Sequence, residues 1–440
     1  MFEVNVKIIS ELQSFLQLIG SDKQLLKRFS LSNTDFTRSR KLPFERVAIL
    51  IVKLCKKTLS FEIDSFFEDI GNTVTCSVSA FCQQRIKLSP QFFHYWNKVL
   101  VDSYYYYAHS AIKRWNKYRV IAADGSNISL INKDALRDYF GGQSNQSSFF
   151  VQAKTFYHYD VLNELIVGAD IKPYRYGEMK MAHHAINDIE PDMLTIYDRN
   201  FCNYKMIALH LWQETERKFI IRGNERHNWI KKFMVNGEQS AQVTIYPTAS
   251  MIEGLRESGF VVTKETGIVV RLVRVELETT TIVLITNLWE EEGHASTEFK
   301  ELYHMRWGVE TNIGTQKNIL QLESFSGLSV EAVLQDFYAT ILVTNLHSVI
   351  IKDAEQTAQQ TIKNRKYPIK LNKNKSFGKL KQNIVKLFVN QSVEQILMTL
   401  HSQFIREVIP IRKDRSFPRI TKNKQTKSKF KTFSNFKPAY

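Results

Sequence analysis

Four cysteines in 440 residues, namely Cys55, Cys76, Cys82 and Cys202, contain no Cys-x-x-Cys pair, so a soft-metal site has little support and the chain suits a reducing cytoplasm. The adjacent His183 and His184 lack the His-Glu-x-x-His spacing of a zinc protease and read as helix-surface residues. No apolar run reaches the roughly 18 residues needed to span a bilayer. The run over 47–55 is interrupted by Lys53, is followed by Lys56 and Lys57, and reads as a buried helix. The first residues lack a basic-then-apolar signal segment. No glycine-rich phosphate loop and no repeat of fixed period occurs, so a nucleotide-driven mechanism is unsupported.

Acids are also in deficit: 44 Asp and Glu stand against 60 Lys and Arg, a net charge of +16 and a pI near 9.4. Such a balance favours a polyanionic partner through phosphate contacts and counterion release. Over 411–440 ten basic residues meet one acid, Asp414, with Phe417, Phe430, Phe433 and Phe436 between them. We expect this tail to be solvated in the free protein and to contact the DNA backbone when bound. With 43% apolar residues the chain can bury a large core, and its length predicts two or three domains.

What is present is chemically specific. Over residues 303–317, a helical step of about 100° places Tyr303, Arg306, Glu310 and Lys317 within an arc of about 60°. If the segment is one helix, a single face carries a phenol, a guanidinium, a carboxylate and an ammonium. Arg306 and Glu310 alone would be an ordinary (i, i+4) ion pair. Upstream, an apolar strand from Arg119 ends in Asp124 followed by a turn-forming Gly125, and a second strand from Met193 ends in Asp198. Either Asp alone would read as a cap. Together with the helical Glu310 they give the order strand Asp, strand Asp, helical Glu along the chain.

The spacing Tyr-x2-Arg-x3-Glu-x6-Lys, with Asp124-Gly-Ser and Asp198-Arg-Asn-Phe, resembles the bacterial insertion-sequence DDE transposases of the insertion-sequence-four family. Asn200 replaces the family's usual Gly, which touches the turn and not a ligand. The resemblance implies an α/β, ribonuclease-H-like catalytic core interrupted by a mainly β insertion, with helical N-terminal and C-terminal regions. It implies that Asp124, Asp198 and Glu310 are catalytic and hold two Mg²⁺ ions, with Mn²⁺ able to substitute. Water would nick the element end and the released 3′-OH would attack target DNA, in cut-and-paste transposition. Tyr303, Arg306 and Lys317 would position the strand end. The partners implied are the terminal inverted repeats and target DNA, bound by a homodimer, with no membrane, in a bacterial cytoplasm at the nucleoid.

The domain boundaries expected are a helical DNA-binding region over 1–115 and a core over 116–222. A β insertion over 223–292 separates this from the rest of the core, 293–330 with Glu310. A helical region over 331–410 and the basic tail over 411–440 follow. A helix near 78–88 resembles a recognition helix, with Arg85 and Lys87 as DNA contacts, or is a generic amphipathic helix. Trp289 is either a core indole or the residue that stabilises a flipped base. A metal-dependent nuclease without strand transfer and a non-enzymatic DNA-binding descendant are the rival classes.

Overall fold

The computed structural model describes every residue except 39, 73, 147, 361–366, 390–391 and 413–440. The expected basic tail thus lies outside the described residues beyond Arg412. The chain divides into two compact units: Met1–Ile112, Ile128–Ala153 and Gly314–Tyr440 form one, and Lys113–Asn127 and Lys154–Ile313 form the other. Among the described residues no helix is long and apolar enough to cross a membrane.

Nine strands among the described residues form one mixed sheet. They are β1 (Arg119–Ser129), β2 (Gly142–Ser144), β3 (Phe149–Asp160), β4 (Leu165–Pro173), β5 (Met193–Tyr197), β6 (Lys218–Arg222), β7 (Ser240–Ile245), β8 (Ile268–Glu276) and β9 (Thr281–Thr286). Their order is β2-β3-β1-β5-β6-β9-β8-β7, with β4 also paired to β3. β1, β5 and β6 are parallel, and parallel neighbours need crossovers. Helices Glu178–Ala185 and Tyr204–Leu211 lie in those crossovers. The hairpin expected around Leu162 and Asn163 is present as β3 and β4, where Asp160 accepts the Leu162 and Asn163 N–H groups at 3.1 and 3.0 Å.

Strand alternation explains why the sheet of the second unit is buried on both faces. Val120, Leu194, Ile196, Ile220 and Leu284 pack with Phe299, Leu302 and Tyr303 in one apolar cluster. Ile121, Tyr197, Phe219, Ile221 and Ile285 pack in another with Met206, Ile207, Ile230, Phe233 and Leu255. The stretch expected as a mainly β insertion is mixed instead. Its strands β7, β8 and β9 extend the sheet antiparallel from β6, helix Asn228–Asn236 precedes β7, and helix Ala249–Arg256 lies between β7 and β8. Each helix buries an (i, i+3) pair, Ile230 with Phe233 and Ile252 with Leu255, which is the helical period overriding the β reading.

The first unit is helical, and β2 pairs there with the opening residues of β3. Helix Gln91–Tyr107 packs against Phe2–Ser21 and Val330–Gln360. Phe92 anchors it, with Phe15 stacked at 6.1 Å and Phe44 edge-on at 5.0 Å, and the Trp96 indole donates to the Leu12 carbonyl at 3.0 Å.

Helix Val78–Arg85 forms as the sequence suggests, capped by Ser77, whose Oγ accepts the Ala80 N–H at 3.2 Å. Its expected role as a reader of bases is not what the side chains do. Arg85 is buried and donates from Nε to Gln335 at 2.9 Å, from Nη1 to Ser326 at 2.6 Å and from Nη2 to Asp336 at 3.0 Å. Lys56 lies 3.8 Å from the other Asp336 oxygen. Burial would raise the Asp336 carboxyl, but Lys56 and Arg85 outweigh it and hold it below the usual range. Burial pushes the Lys56 ammonium down to about 8. Arg85 is therefore a structural cation, and the recognition-helix expectation is corrected at this residue. Lys87, just past the helix, is half-buried, and its carbonyl accepts the Leu31 N–H at 2.9 Å. Asp336→Ala would strand two buried cations and is expected to destabilise the chain by about 3–5 kcal/mol in urea unfolding; a loss under about 1 kcal/mol would contradict this account of the network.

Candidate active site

Parallel register sets the acids level. Ala122 stands opposite Ile196 on β5, and Tyr197 stands opposite Ile221 on β6. Continuing the same register, Asp124 falls level with Asp198, and Asp198 with Arg222. Asp124 does not end its strand, because β1 runs on to Ser129. Gly125 is also no turn residue: its φ lies outside the positive range. Its missing side chain is required for another reason, since a Cβ there would sit 2.3 Å from Oε1 of Glu178. Its N–H donates to Asp124 Oδ1 at 2.8 Å.

Asp198 directly follows β5 and accepts the Asn200 N–H at 2.7 Å, capping the 3-10 turn Arg199–Phe201. Asn200 needs no positive φ there, so the departure from the family's Gly is accommodated without strain.

The single helix expected over 303–317 is two helices, Phe299–His304 and Trp307–Asn318. Between them the backbone tightens, with Arg306, Gly308 and Val309 each donating three residues back. Tyr303, Arg306 and Glu310 still meet, through contacts rather than a continuous stripe. Arg306 Nη2 bonds Glu310 Oε1 at 2.6 Å, its Nη1 lies 3.7 Å from Asp124 Oδ2, and its guanidinium carbon lies 5.9 Å from the Tyr303 ring centre. Glu310 sits in the first turn of its helix, where the dipole favours a carboxylate. Tyr303 is buried. Burial raises its hydroxyl pKa, Arg306 and Arg222 lower it, and Asp198 raises it, with a net rise. Asp124, Asp198, Arg222, Tyr303, Arg306 and Glu310 are thus one interacting group.

Lys317 lies two turns beyond Glu310 on the same helix and pairs with Glu323 at 3.8 Å. Trp289 is half-exposed on the loop after β9, its carbonyl accepting the Glu292 and His294 N–H groups. His184 is exposed on its helix, whereas His183 is half-buried, and burial pushes its imidazole down to about 4.

Two features carry no signal in the sequence. Glu178, the first residue of helix Glu178–Ala185, reaches Gly125 and bears on the Asp124 carboxyl. A cavity of about 350 Å³ is lined among others by Arg199, which directly follows Asp198, and by Arg222, Glu225, Arg226 and Lys231. A cation directly after an acid or at a strand end is common, and only the parallel register distinguishes these.

Residues 115–346, more than half of the chain, match the family model of the transposase DDE domain. The chain belongs to this family and is, by class, a DNA transposase. It is also similar to a solved piggyBac transposase synaptic complex with hairpin DNA, at 12% identity over 92% of this chain and 80% of that one, with a TM-score of 0.39. No curated protein matches the chain.

DDE transposases use divalent metal ions, and the donor set fits a hard cation. Burial first, then Glu178, push the Asp124 carboxyl from 3.8 to about 7, while the Gly125 N–H and Arg306 pull it down and Asp198 adds to the rise. That shift is worth up to about 4 kcal/mol, so burial and repulsion exceed the attraction of Arg306. Among the described residues no three His, Cys, Asp or Glu side chains converge closely enough to hold one ion alone. Mg²⁺ keeps several waters and uses one or two carboxylates, so pairs drawn from these acids suit it.

A folded-state pKa above the unfolded one favours folding below about pH 4 and loses that advantage as the pH rises through about 7. In metal-free protein Asp124→Asn is therefore expected to raise the thermal midpoint at about pH 8, on the order of 5 °C, with little change at about pH 4. Calorimetry in chelator showing the same shift at both pH values would refute the assignment.

Proposed function

We propose that this chain excises and inserts a DNA element by cut-and-paste transposition, as a member of the insertion-sequence-four family carrying the Tyr303-Arg306-Glu310-Lys317 signature. The observation that carries the proposal is the level placement of Asp124 and Asp198 on adjacent parallel strands, with Glu310 tied to Asp124 through Arg306. The strand order β4-β3-β1-β5-β6, with β1, β5 and β6 parallel, supports a ribonuclease-H-like core within 116–222 and 293–330. The strands over 223–292 add to it, with helical regions at 1–115 and 331–410.

Asp124, Asp198 and Glu310 would hold the divalent ions, two Mg²⁺ in this reading. When bound, these supply Lewis-acid charge to the attacking and leaving oxygens of the phosphodiester. Arg306, released from its carboxylates by that charge, presents a planar fork to a phosphate. Arg199 and Arg222 line one cavity and suit the same strand. Tyr303 holds Arg306 in place through its ring and hydroxyl. Lys317 is proposed as a further phosphate contact and Trp289 as a contact to a flipped base. A 3′-OH produced by cleavage then replaces water as the attacking group on target DNA. Two element ends acted on together call for at least a dimer on DNA.

The test is incubation of purified protein and Mg²⁺ with DNA carrying the native gene's flanks, with products mapped at single-nucleotide resolution. Cuts at the inverted-repeat boundary followed by joined products support transposition, whereas cuts without joining support a nuclease. Binding without cuts supports a non-enzymatic descendant. Glu310→Gln is expected to bind the flanks within about threefold of the parent. It should cut at least about a hundredfold more slowly, since even groups outside the ligand set are worth 10–100-fold. Normal cutting by this variant would overturn the assignment of Glu310.

A further inference from the structure

Glu178 has no evident role in folding. It opens helix Glu178–Ala185 after Gly177, whose φ is +79°. A carboxylate in a first helical turn gains from the dipole while facing water, by about 0.3–1 kcal/mol. Glu178 is instead half-buried and turned onto the backbone of Gly125. No ion pair among the described residues reaches it. Lys154 acts on it only at longer range, and the Lys154 ammonium lies 5.3 Å from the Tyr174 ring centre. Among the described residues the donor that bears on it is the Gly125 N–H, which bonds Asp124 Oδ1 at 2.8 Å. Two carboxylates sharing one N–H leave most of their lone pairs unmatched in a partly desolvated place. Like charges so arranged oppose folding unless a cation joins them. Gly125 is what lets them approach, because any side chain there would meet the Glu178 carboxylate within 2.3–2.6 Å.

We propose that Glu178 is a fourth carboxylate of the active site, supplying an oxygen ligand to the divalent ion held at Asp124. This rests on the metal-binding reading of Asp124 above. It assigns a ligand from the crossover helix before β5, an element that carries none of the three signature acids.

The test reads metal binding without DNA or catalysis: titration of the full chain with Mn²⁺, following the free-ion electron paramagnetic resonance signal. Glu178→Gln is expected to weaken Mn²⁺ binding about tenfold, with the thermal midpoint of the metal-free protein unchanged or raised. Gly125→Ala keeps all four carboxylates but displaces the Glu178 head, and should weaken binding by a similar factor. The double variant should be no weaker than either single one. Mn²⁺ affinity of Glu178→Gln within about twofold of the parent, with binding lost in Asp124→Asn, would overturn the role of Glu178 and leave the site standing. Unchanged binding in Asp124→Asn would instead overturn the metal-binding reading itself.

Discussion

In a parallel pair of strands the backbone hydrogen bonds decide which residues stand level, and here they set Ala122 against Ile196 and Tyr197 against Ile221. The strand-borne part of the site follows from continuing that register by one or two residues. Asp124, Asp198 and Arg222 then come level although nearly a hundred residues of chain separate the first from the last. A one-residue slip would turn Asp124 to the opposite face and put its apolar neighbours in its place. The slip is opposed by apolar packing on both faces, with Val120 in one cluster and Ile121 in the other. The geometry of the candidate site is in this sense a by-product of the core.

Charge balance then governs what the site can do. Arg306 is buried and serves both Asp124 and Glu310, yet its attraction does not offset burial and the neighbouring carboxylates at Asp124. A carboxyl held in this way gains free energy when a cation is added beside it. In the proposed reading metal binding and DNA binding are coupled, because neutralising the acids would free the Arg306 guanidinium for a phosphate.

Much of this is legible in the amino-acid sequence alone. Asp124, Asp198 and Glu310 stand out because each combines a chemical type with a local setting and an order along the chain. The hairpin at Leu162 and Asn163 and the strands after Gly237 are legible from period-2 patterning. Features decided by distant partners are not. Arg85 looks like a base-reading residue until Gln335 and Asp336, some 250 positions away, close on it. Glu178 looks like an ordinary first-turn acid until Gly125 is seen beneath it. The signature stripe reads as one helix because spacing carries no mark of the tightened turn at Met305 and Arg306. Strand patterning over 240–286 likewise does not reveal which sheet those strands join, and it hides the short helix Ala249–Arg256 among them.

The central proposal is that Asp124, Asp198 and Glu310 between them hold the divalent ions, and iron-directed cleavage of the polypeptide tests it most directly. Fe²⁺ bound in place of Mg²⁺, with ascorbate and peroxide, generates radicals that cut the chain within a few ångströms of the ion. The account predicts fragments ending near residues 124, 198 and 310 together, suppressed by excess Mg²⁺. Cuts confined to other segments, or cuts at only one of these positions that Mg²⁺ fails to suppress, would contradict it.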